Sequence, residues 1–351
     1  MAVERQATRA SRSKRTVVKV GETRFGRDPF PVIAGPCAVE SEEQINTVAE
    51  VVADSGASIL RAATYRQGNS PYFFRGLRLE GAKLLAEAGK RVDLPVAMAI
   101  MEERELEEAG DLVDLLEIHH GSMQNFELLR VAGRSQKPVM LRRGSSATLD
   151  EFLWAVEYLM AEGNDQVILV ERGIRTFGAG HRDTLDITAV PQLKEASHLP
   201  VLVDPSHASG GAERVPPLAL AAQGVGSDGL IVEVHPEPAK AKTEGPRQLN
   251  LGEFAELMVQ LGISRLRSRI DLVDREIVRL LARRRRLSLE IGRAKAERGW
   301  PVQSSRREAE LLEAVREEAI LNELDPDQME ELFSVVLEES RQAQQEMRWD
   351  G

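Results

Sequence analysis

A single cysteine, Cys37, in 351 residues rules out an internal disulfide and any zinc cluster of the Cys₂His₂ kind. So low a count suits a reducing compartment, and a cytoplasmic protein is expected. Long apolar runs are missing as well. None approaches the roughly 18 residues that a membrane helix needs, which excludes a membrane-spanning chain. Excess basic charge is absent: the formal net charge is −10 and the pI is near 5.4, so nucleic acid is disfavoured as the main partner. Arg5, Arg9, Arg12, Lys14 and Arg15 do gather at the start, with no apolar stretch of a secretion signal among them. Residues 1–16 are therefore expected to form a disordered basic arm.

With 42% hydrophobic and 29% charged residues, the chain can bury a core and is long enough for two domains. Short apolar runs recur at Phe30–Cys37, Ser58–Ala63, Pro95–Met101, Leu115–His120, Pro138–Gly144, Gln166–Gly173, Pro200–Ser206 and Gly229–His235. Most are rich in Val, Ile and Leu without strict alternation, which fits strands buried on both faces of a parallel sheet. Helix-length stretches such as Glu42–Ser55, Leu77–Ala88, Thr148–Glu162 and Val215–Ala222 lie between them. Eight strand–helix units in roughly 250 residues is the arithmetic of an α/β (β/α)₈ TIM barrel. A doubly wound sheet is the rival, but no Gly-x-Gly-x-x-Gly follows the first run. The barrel is assigned to 17–262.

Around Gly262 the pattern changes. From Ser264 to Asp350 the only glycines are Gly292 and Gly299, and Pro301 and Pro326 cut the segment into three helices. Residues 264–300 hold 12 Lys/Arg against 5 Asp/Glu, whereas 301–351 hold 5 against 14. Helices of opposite charge must fold back on one another or on a partner chain. A segment this short builds little core alone, so residues 263–351 are expected to be a small all-α three-helix domain in a dimer.

Active groups of a barrel sit at the C-terminal ends of its strands. Reading those ends gives Gly35-Pro36-Cys37, Glu171 to Thr176, Asp204-Pro205-Ser206-His207 and Glu233-Val234-His235-Pro236. Cys37, His207 and Glu233 could converge on one divalent metal of borderline softness. Taken singly, Cys37 also reads as a buried small hydrophobe and His207 as a turn cap. Arg172 and Arg175 suit an anionic, phosphorylated substrate, with a solvated ion pair to Glu171 as the plain alternative.

These ends, with Val32 to Cys37, Ser70-Pro71-Tyr72 and Met123 to Phe126, resemble the type I 3-deoxy-D-arabino-heptulosonate 7-phosphate (DAHP) synthases of the shorter, beta subclass. The resemblance runs from about residue 17 to 262. It implies a barrel that condenses phosphoenolpyruvate with erythrose 4-phosphate on a divalent metal (Mn, Fe, Co or Zn). Carried over by position, Cys37, His207, Glu233 and Glu244 would ligate the metal, while Arg66, Arg142, Arg172 and Arg175 would line the substrate site. There are departures. Where the family has Lys-Pro-Arg-Thr-Ser-Pro-Tyr, this chain has Arg66 in place of the Lys and Gly68 in place of the Arg that grips the aldehyde's phosphate. The family's Gly-Ala-Arg-Asn reads His119-His120-Gly121-Ser122 here, its Lys before Arg143-Gly144 is Arg142, and its last metal Asp is Glu244.

Along the first tail helix, Leu266, Ile270, Val273, Ile277, Leu280, Leu287 and Ile291 form an amphipathic seam at spacings of 3 and 4, with Arg284 filling its gap. A cation in an apolar seam needs an anion or an acidic partner. Lys295 lies about three turns on, roughly 16 Å along the axis, with Ser288 and Gly292 keeping the stripe shallow. Two cations bracketing a hollow suit a small dicarboxylate; a plain coiled coil and a weak nucleic-acid patch at Arg283 to Arg286 are the alternatives. In the last helix Phe333, Val336, Ser340 and Gln344 share a face.

This order of residues resembles the all-helical class of chorismate mutase over about 264–347, a fold that is an intertwined dimer. The resemblance implies that Arg267 of the partner subunit, Arg284 and Ser340 bind the substrate carboxylates, that Arg307 and Glu308 position the ring hydroxyl, and that Lys295 and Gln344 donate to the ether oxygen. No cofactor is implied there. Ser304 stands where that family usually has Asp. The expectation is a bifunctional homodimer acting on chorismate, phosphoenolpyruvate and a phosphorylated aldose. Two alternatives stay open: a chorismate mutase whose barrel is a regulatory or substrate-altered module, and a working aldolase with a non-enzymatic dimerisation tail.

Overall fold

The computed structural model describes residues 5–27, 30–66, 72–177 and 183–349, apart from the side chains of 263–269, 271, 272 and 346–349. It divides into two compact units, Met1–Ser264 and Arg265–Gly351.

The first unit opens with an antiparallel hairpin of β1 (Val18–Val20) and β2 (Thr23–Phe25). Each of the eight apolar runs then forms one strand: β3 (Val32–Gly35), β4 (Ile59–Ala63), β5 (Val96–Ile100), β6 (Leu115–Ile118), β7 (Val139–Arg142), β8 (Val167–Glu171), β9 (Val201–Val203) and β10 (Leu230–Glu233). They close into a parallel barrel in the order β10-β3-β4-β5-β6-β7-β8-β9. Between them run α1 (Glu42–Asp54), α2 (Arg78–Arg91), α3 (Glu103–Ala109), α4 (Phe126–Arg134), α5 (Leu149–Met160), α6 (Ala189–Ala196), α7 (Pro205–Ala208) and α8 (Val215–Gly224).

Inside the barrel lies a layer of Ile33, Ile59, Ala97, Leu115, Met140, Ile168, Leu202 and Ile231, one from each strand, packed with Val18, Val20 and Phe25 of the hairpin. Side chains alternate along a strand, so the residues two positions on share that inward face, closer to the C-terminal mouth. They are Gly35, Arg61, Ala99, Glu117, Arg142, Val170, Asp204 and Glu233. The fold thus sets a charged layer directly upon an apolar one.

The hairpin is not marked in the sequence by any long apolar run. The basic arm is corrected from Arg5 onward. Ala7 is fully buried, Arg9 N–H donates to Ala196 O at 2.9 Å, and Ser197 Oγ donates to Ala7 O at 2.6 Å. His198 is bonded to Thr16 Oγ1 and to Gln6 O, each at 2.8 Å. Backbone groups anchor this segment, and they are invisible to a reading of its side-chain charge.

Gly262 ends no helix, because α9 spans Leu251–Glu297. One glycine costs a helix about 1 kcal/mol, which the surrounding helix formers offset. Within the second unit α10 (Ser305–Leu321) and α11 (Pro326–Trp349) follow, Pro326 taking the first helical position, where its missing N–H costs nothing. Along α9, Ile270, Val273, Ile277, Leu280, Leu287 and Ile291 are 48% to 60% exposed. Among the described residues no helix is long and apolar enough to cross a membrane.

Gly35 ties β3 to β4 at the mouth. Its φ is +154°, and a Cβ there would stand 2.0 Å from the carbonyl oxygen of Arg61. Gly35→Ala is expected to lower barrel stability by about 3 kcal/mol or more, through forced separation of the two strands. Urea unfolding is the measurement; an unchanged barrel midpoint would show that β3 can shift freely.

Candidate active sites

At the barrel mouth, β3 ends in Gly35-Pro36 and delivers Cys37, β9 runs into Asp204, and β10 ends on Glu233. Asp204 caps α7: its Oδ1 accepts from His207 N at 3.1 Å, and Oδ2 lies 2.8 Å from His207 Nδ1. That second contact fixes the ring so that Nε2 faces Glu233 Oε1 at 3.4 Å. Ligand atoms of Cys37, His207 and Glu233 all lie within 4.8 Å of one another. Glu233 Oε2 is buried and has no hydrogen-bond partner among the described residues.

This trio fits a divalent ion. Burial, followed by the nearby Arg142 and Arg172, holds His207 well below its ordinary pKa and so in the neutral form that ligates. Burial and Glu233 push the Cys37 thiol up to about 12, and a bound cation is what would release that proton. Glu244 does not join the trio. The Arg66 guanidinium donates to Cys37 Sγ and lies 4.0 Å from Glu244 Oε1, while Glu244 Oε2 pairs with Arg247 at 3.3 Å. A cationic side chain thus stands between Glu244 and the other three.

Below the trio runs a buried chain of charge. Arg61 holds Glu117 through two bonds of 2.8 Å, from Nε and from Nη2, and reaches Glu233 Oε1 at 2.9 Å through Nη1. Arg142 donates to the same Glu117 at 2.6 Å and also pairs with Asp204. Burial alone would raise the Glu117 pKa, but the two guanidiniums overcome it and hold the carboxyl far below the usual range. Arg143 pairs with Glu171 at 2.8 Å and Asp186 at 3.0 Å, and Arg172 pairs with Asp183 at 3.0 Å. Burial and the proximity of Arg142 lower Arg172 to about 10. Arg175, expected beside it, is exposed. His119, half-buried, is pushed down to about 3 by desolvation and Arg142, and its Nδ1 accepts from Gly121 N at 3.2 Å. Gly68 lies outside the described residues.

In the helical unit the two ends of a polar stripe meet. Arg284 Nη1 donates to Ser340 Oγ and to Val336 O, the latter at 3.3 Å. Gln344 Nε2 donates to Ser288 Oγ at 2.7 Å, and Ser288, Ser340 and Gln344 are all buried. Lys295 Nζ donates to Val302 O at 2.6 Å. Glu308 pairs with Arg341 at 2.9 Å, whereas Arg307 points to exposed Glu310 at 3.3 Å and is not brought to the stripe within one chain. The side chain of Arg267 lies outside the described ones.

Residues 8–266 match the family described as the DAHP synthetase I family. The chain belongs to that family. Residues 266–345 match chorismate mutase type II, so a DAHP synthase barrel is fused here to a chorismate mutase domain. A phospho-2-dehydro-3-deoxyheptonate aldolase of Thermotoga maritima is 43% identical over 246 residues, 70% of this chain and 73% of that protein. A 2-dehydro-3-deoxyphosphooctonate aldolase of Syntrophotalea carbinolica is 31% identical over 263 residues, covering 70% and 94%. The crystal structure of the Thermotoga maritima DAHP synthase superposes with a TM-score of 0.72 at 40% identity, covering 75% of this chain and 76% of that one.

Sequence reasoning did not single out Arg61, Glu117, Arg143 and Asp183 of the synthase barrel, nor Arg341 of the mutase domain. For Arg61 and Glu117 there was a signal: a charged residue set inside an apolar strand that must lie buried. Arg61→Met would strip Glu117 and Glu233 of their shared cation. Because Glu117 would then bind a proton more readily when folded, the loss should be largest at pH 7, about 3–5 kcal/mol, and should shrink as pH falls toward 5. Urea titrations at both values check this; an equal loss at each would show a packing role instead.

Proposed function

We propose that the barrel condenses phosphoenolpyruvate with a phosphorylated aldose, erythrose 4-phosphate in the first place, with a divalent metal held by Cys37, His207 and Glu233. The convergence of these three donors, with Glu233 Oε2 buried and without a hydrogen-bond partner among the described residues, carries the reading. A bound Mn, Fe, Co or Zn ion supplies Lewis acidity toward the aldehyde carbonyl. Arg172 and Arg142 bind and orient the enolpyruvate's phosphate and carboxylate. Asp204 keeps His207 turned toward the ion. Arg66 orients oxygen but, as a fixed cation, is a poor proton donor. At the position where the family has the Arg that grips the aldehyde's phosphate this chain has Gly68, a residue with no charged side chain to offer.

The helical unit isomerises chorismate to prephenate as a dimer in this reading. A pericyclic rearrangement needs a compact conformer and donors where charge grows on oxygen, not a nucleophile. Arg284, Ser340 and Arg267 of the partner subunit hold the carboxylates, Lys295 and Gln344 serve the ether oxygen, and Glu308 with Arg307 serves the ring hydroxyl. The exposed seam of α9 supports the dimer, since six large aliphatic side chains on one stripe stay about half exposed among the described residues. A reducing cytoplasm suits both activities and the free Cys37 thiol.

Two outcomes are expected. After dialysis, Cys37→Ala should lose most of its divalent metal and its aldehyde-dependent phosphoenolpyruvate consumption, while Glu244→Ala keeps most of the metal. Equal metal in Cys37→Ala and wild type would mark Cys37 as a packed thiol. Lys295→Ala in the full chain should lower prephenate formation by about 10²–10³-fold, the usual cost of one preorganised donor, with metal-free protein as active as loaded protein. Sedimentation should give a dimer; a fully active monomer sinks the intertwined site.

A further inference from the structure

We propose that Glu117 is an internal counter-ion that occupies the barrel's own anion-binding arginines and sets how tightly the mouth takes phosphoenolpyruvate; this rests on the reading of the barrel as a phosphoenolpyruvate site. Glu117 is fully buried, and its two oxygens bridge Arg61, on β4, to Arg142, on β7. The forked contact with Arg61 is the geometry in which a guanidinium grips any carboxylate, that of a ligand included. The side chain therefore stands where a substrate carboxylate would gain most.

The rest of the mouth follows the same rule. Arg142 is also held by Asp204, Arg143 by Glu171 and Asp186, and Arg172 by Asp183. An incoming phosphate and carboxylate meet arginines whose charge is already compensated, and they approach Glu117 as a like charge in a low-dielectric setting. Binding is not abolished, because two donors stay open: Nε of Arg142 and Nε of Arg172 are buried without an acceptor among the described residues. The outcome is a site that accepts the anion weakly and that loses its restraint when Glu117 loses its charge.

The test is calorimetric titration of phosphoenolpyruvate into the full chain, wild type against Glu117→Gln, with near-UV circular dichroism confirming the barrel fold. Glu117→Gln keeps the shape and removes the charge, and it should bind at least about 10-fold more tightly. Equal affinity overturns the counter-ion role and leaves the phosphoenolpyruvate reading standing. Weaker binding overturns it too, by showing Glu117 to be a strut that aligns the arginines. Failure of both proteins to bind at millimolar ligand overturns the proposal together with the reading beneath it. If Glu117→Gln does not fold, Glu117→Ala with added acetate replaces it. Acetate should then raise the unfolding midpoint of that variant alone and compete with phosphoenolpyruvate; absence of both effects overturns the proposal.

Discussion

Charge buried in the second layer of the barrel is the constraint on which the mouth depends. Arg61, Glu117, Arg142, Asp204 and Glu233 are each at most 3% exposed. An isolated ion at such depth is worth several kcal/mol of destabilisation, so loss of Arg61 strips Glu233 of its guanidinium, whereas loss of Glu117 leaves Arg61 with Glu233 and Arg142 with Asp204. The chain Glu233–Arg61–Glu117–Arg142–Asp204 alternates in sign at every link. From its ends it delivers the two chemically useful objects of the site, Glu233 itself and the His207 ring that Asp204 aligns. The geometry of the trio is thus inherited from a structural ion ladder and is not a local property of its three residues.

Strand register makes the ladder possible. Arg61 neighbours Ala97 in the pairing of β4 with β5, and Glu117 neighbours Ala99 in the pairing of β5 with β6. Small residues on β5 leave room for two long side chains to meet across the lumen. Gly35 on β3 clears the backbone of Arg61 in the same way. A barrel interior filled with bulky aliphatics at this level, like the layer below it, would have no volume for the pair.

All eight strands were legible because a strand buried on both faces is apolar along most of its length, and helix-length stretches separate such runs. The trio was legible because strand ends are where a barrel keeps its chemistry. Glu244 stands outside that cluster for a physical reason: position in sequence names a candidate ligand, while here its carboxylate is engaged by Arg66 and Arg247. Arg61 and Glu117 escaped notice because their meaning lies in each other, across 56 residues of chain. The arm from Arg5 to Thr16 escaped because its hold on the barrel runs through Gln6 O, Ala7 O and Arg9 N, which any residues possess.

The two units differ in how they treat their cations, and the difference bears on what each can bind. In the barrel every buried arginine at the mouth is matched by a carboxylate of its own chain. In the mutase domain, among the described residues, Arg284 donates to a serine hydroxyl and a backbone carbonyl, and Lys295 to a backbone carbonyl. Neutral acceptors satisfy the hydrogen-bonding capacity of a cation without cancelling its charge. Half-buried and without a carboxylate partner among the described residues, these two side chains keep their attraction for an anion, in keeping with the dicarboxylate proposed for this domain. In the larger domain the same kind of field is closed upon itself by Glu117 and opens only as far as that carboxylate gives way.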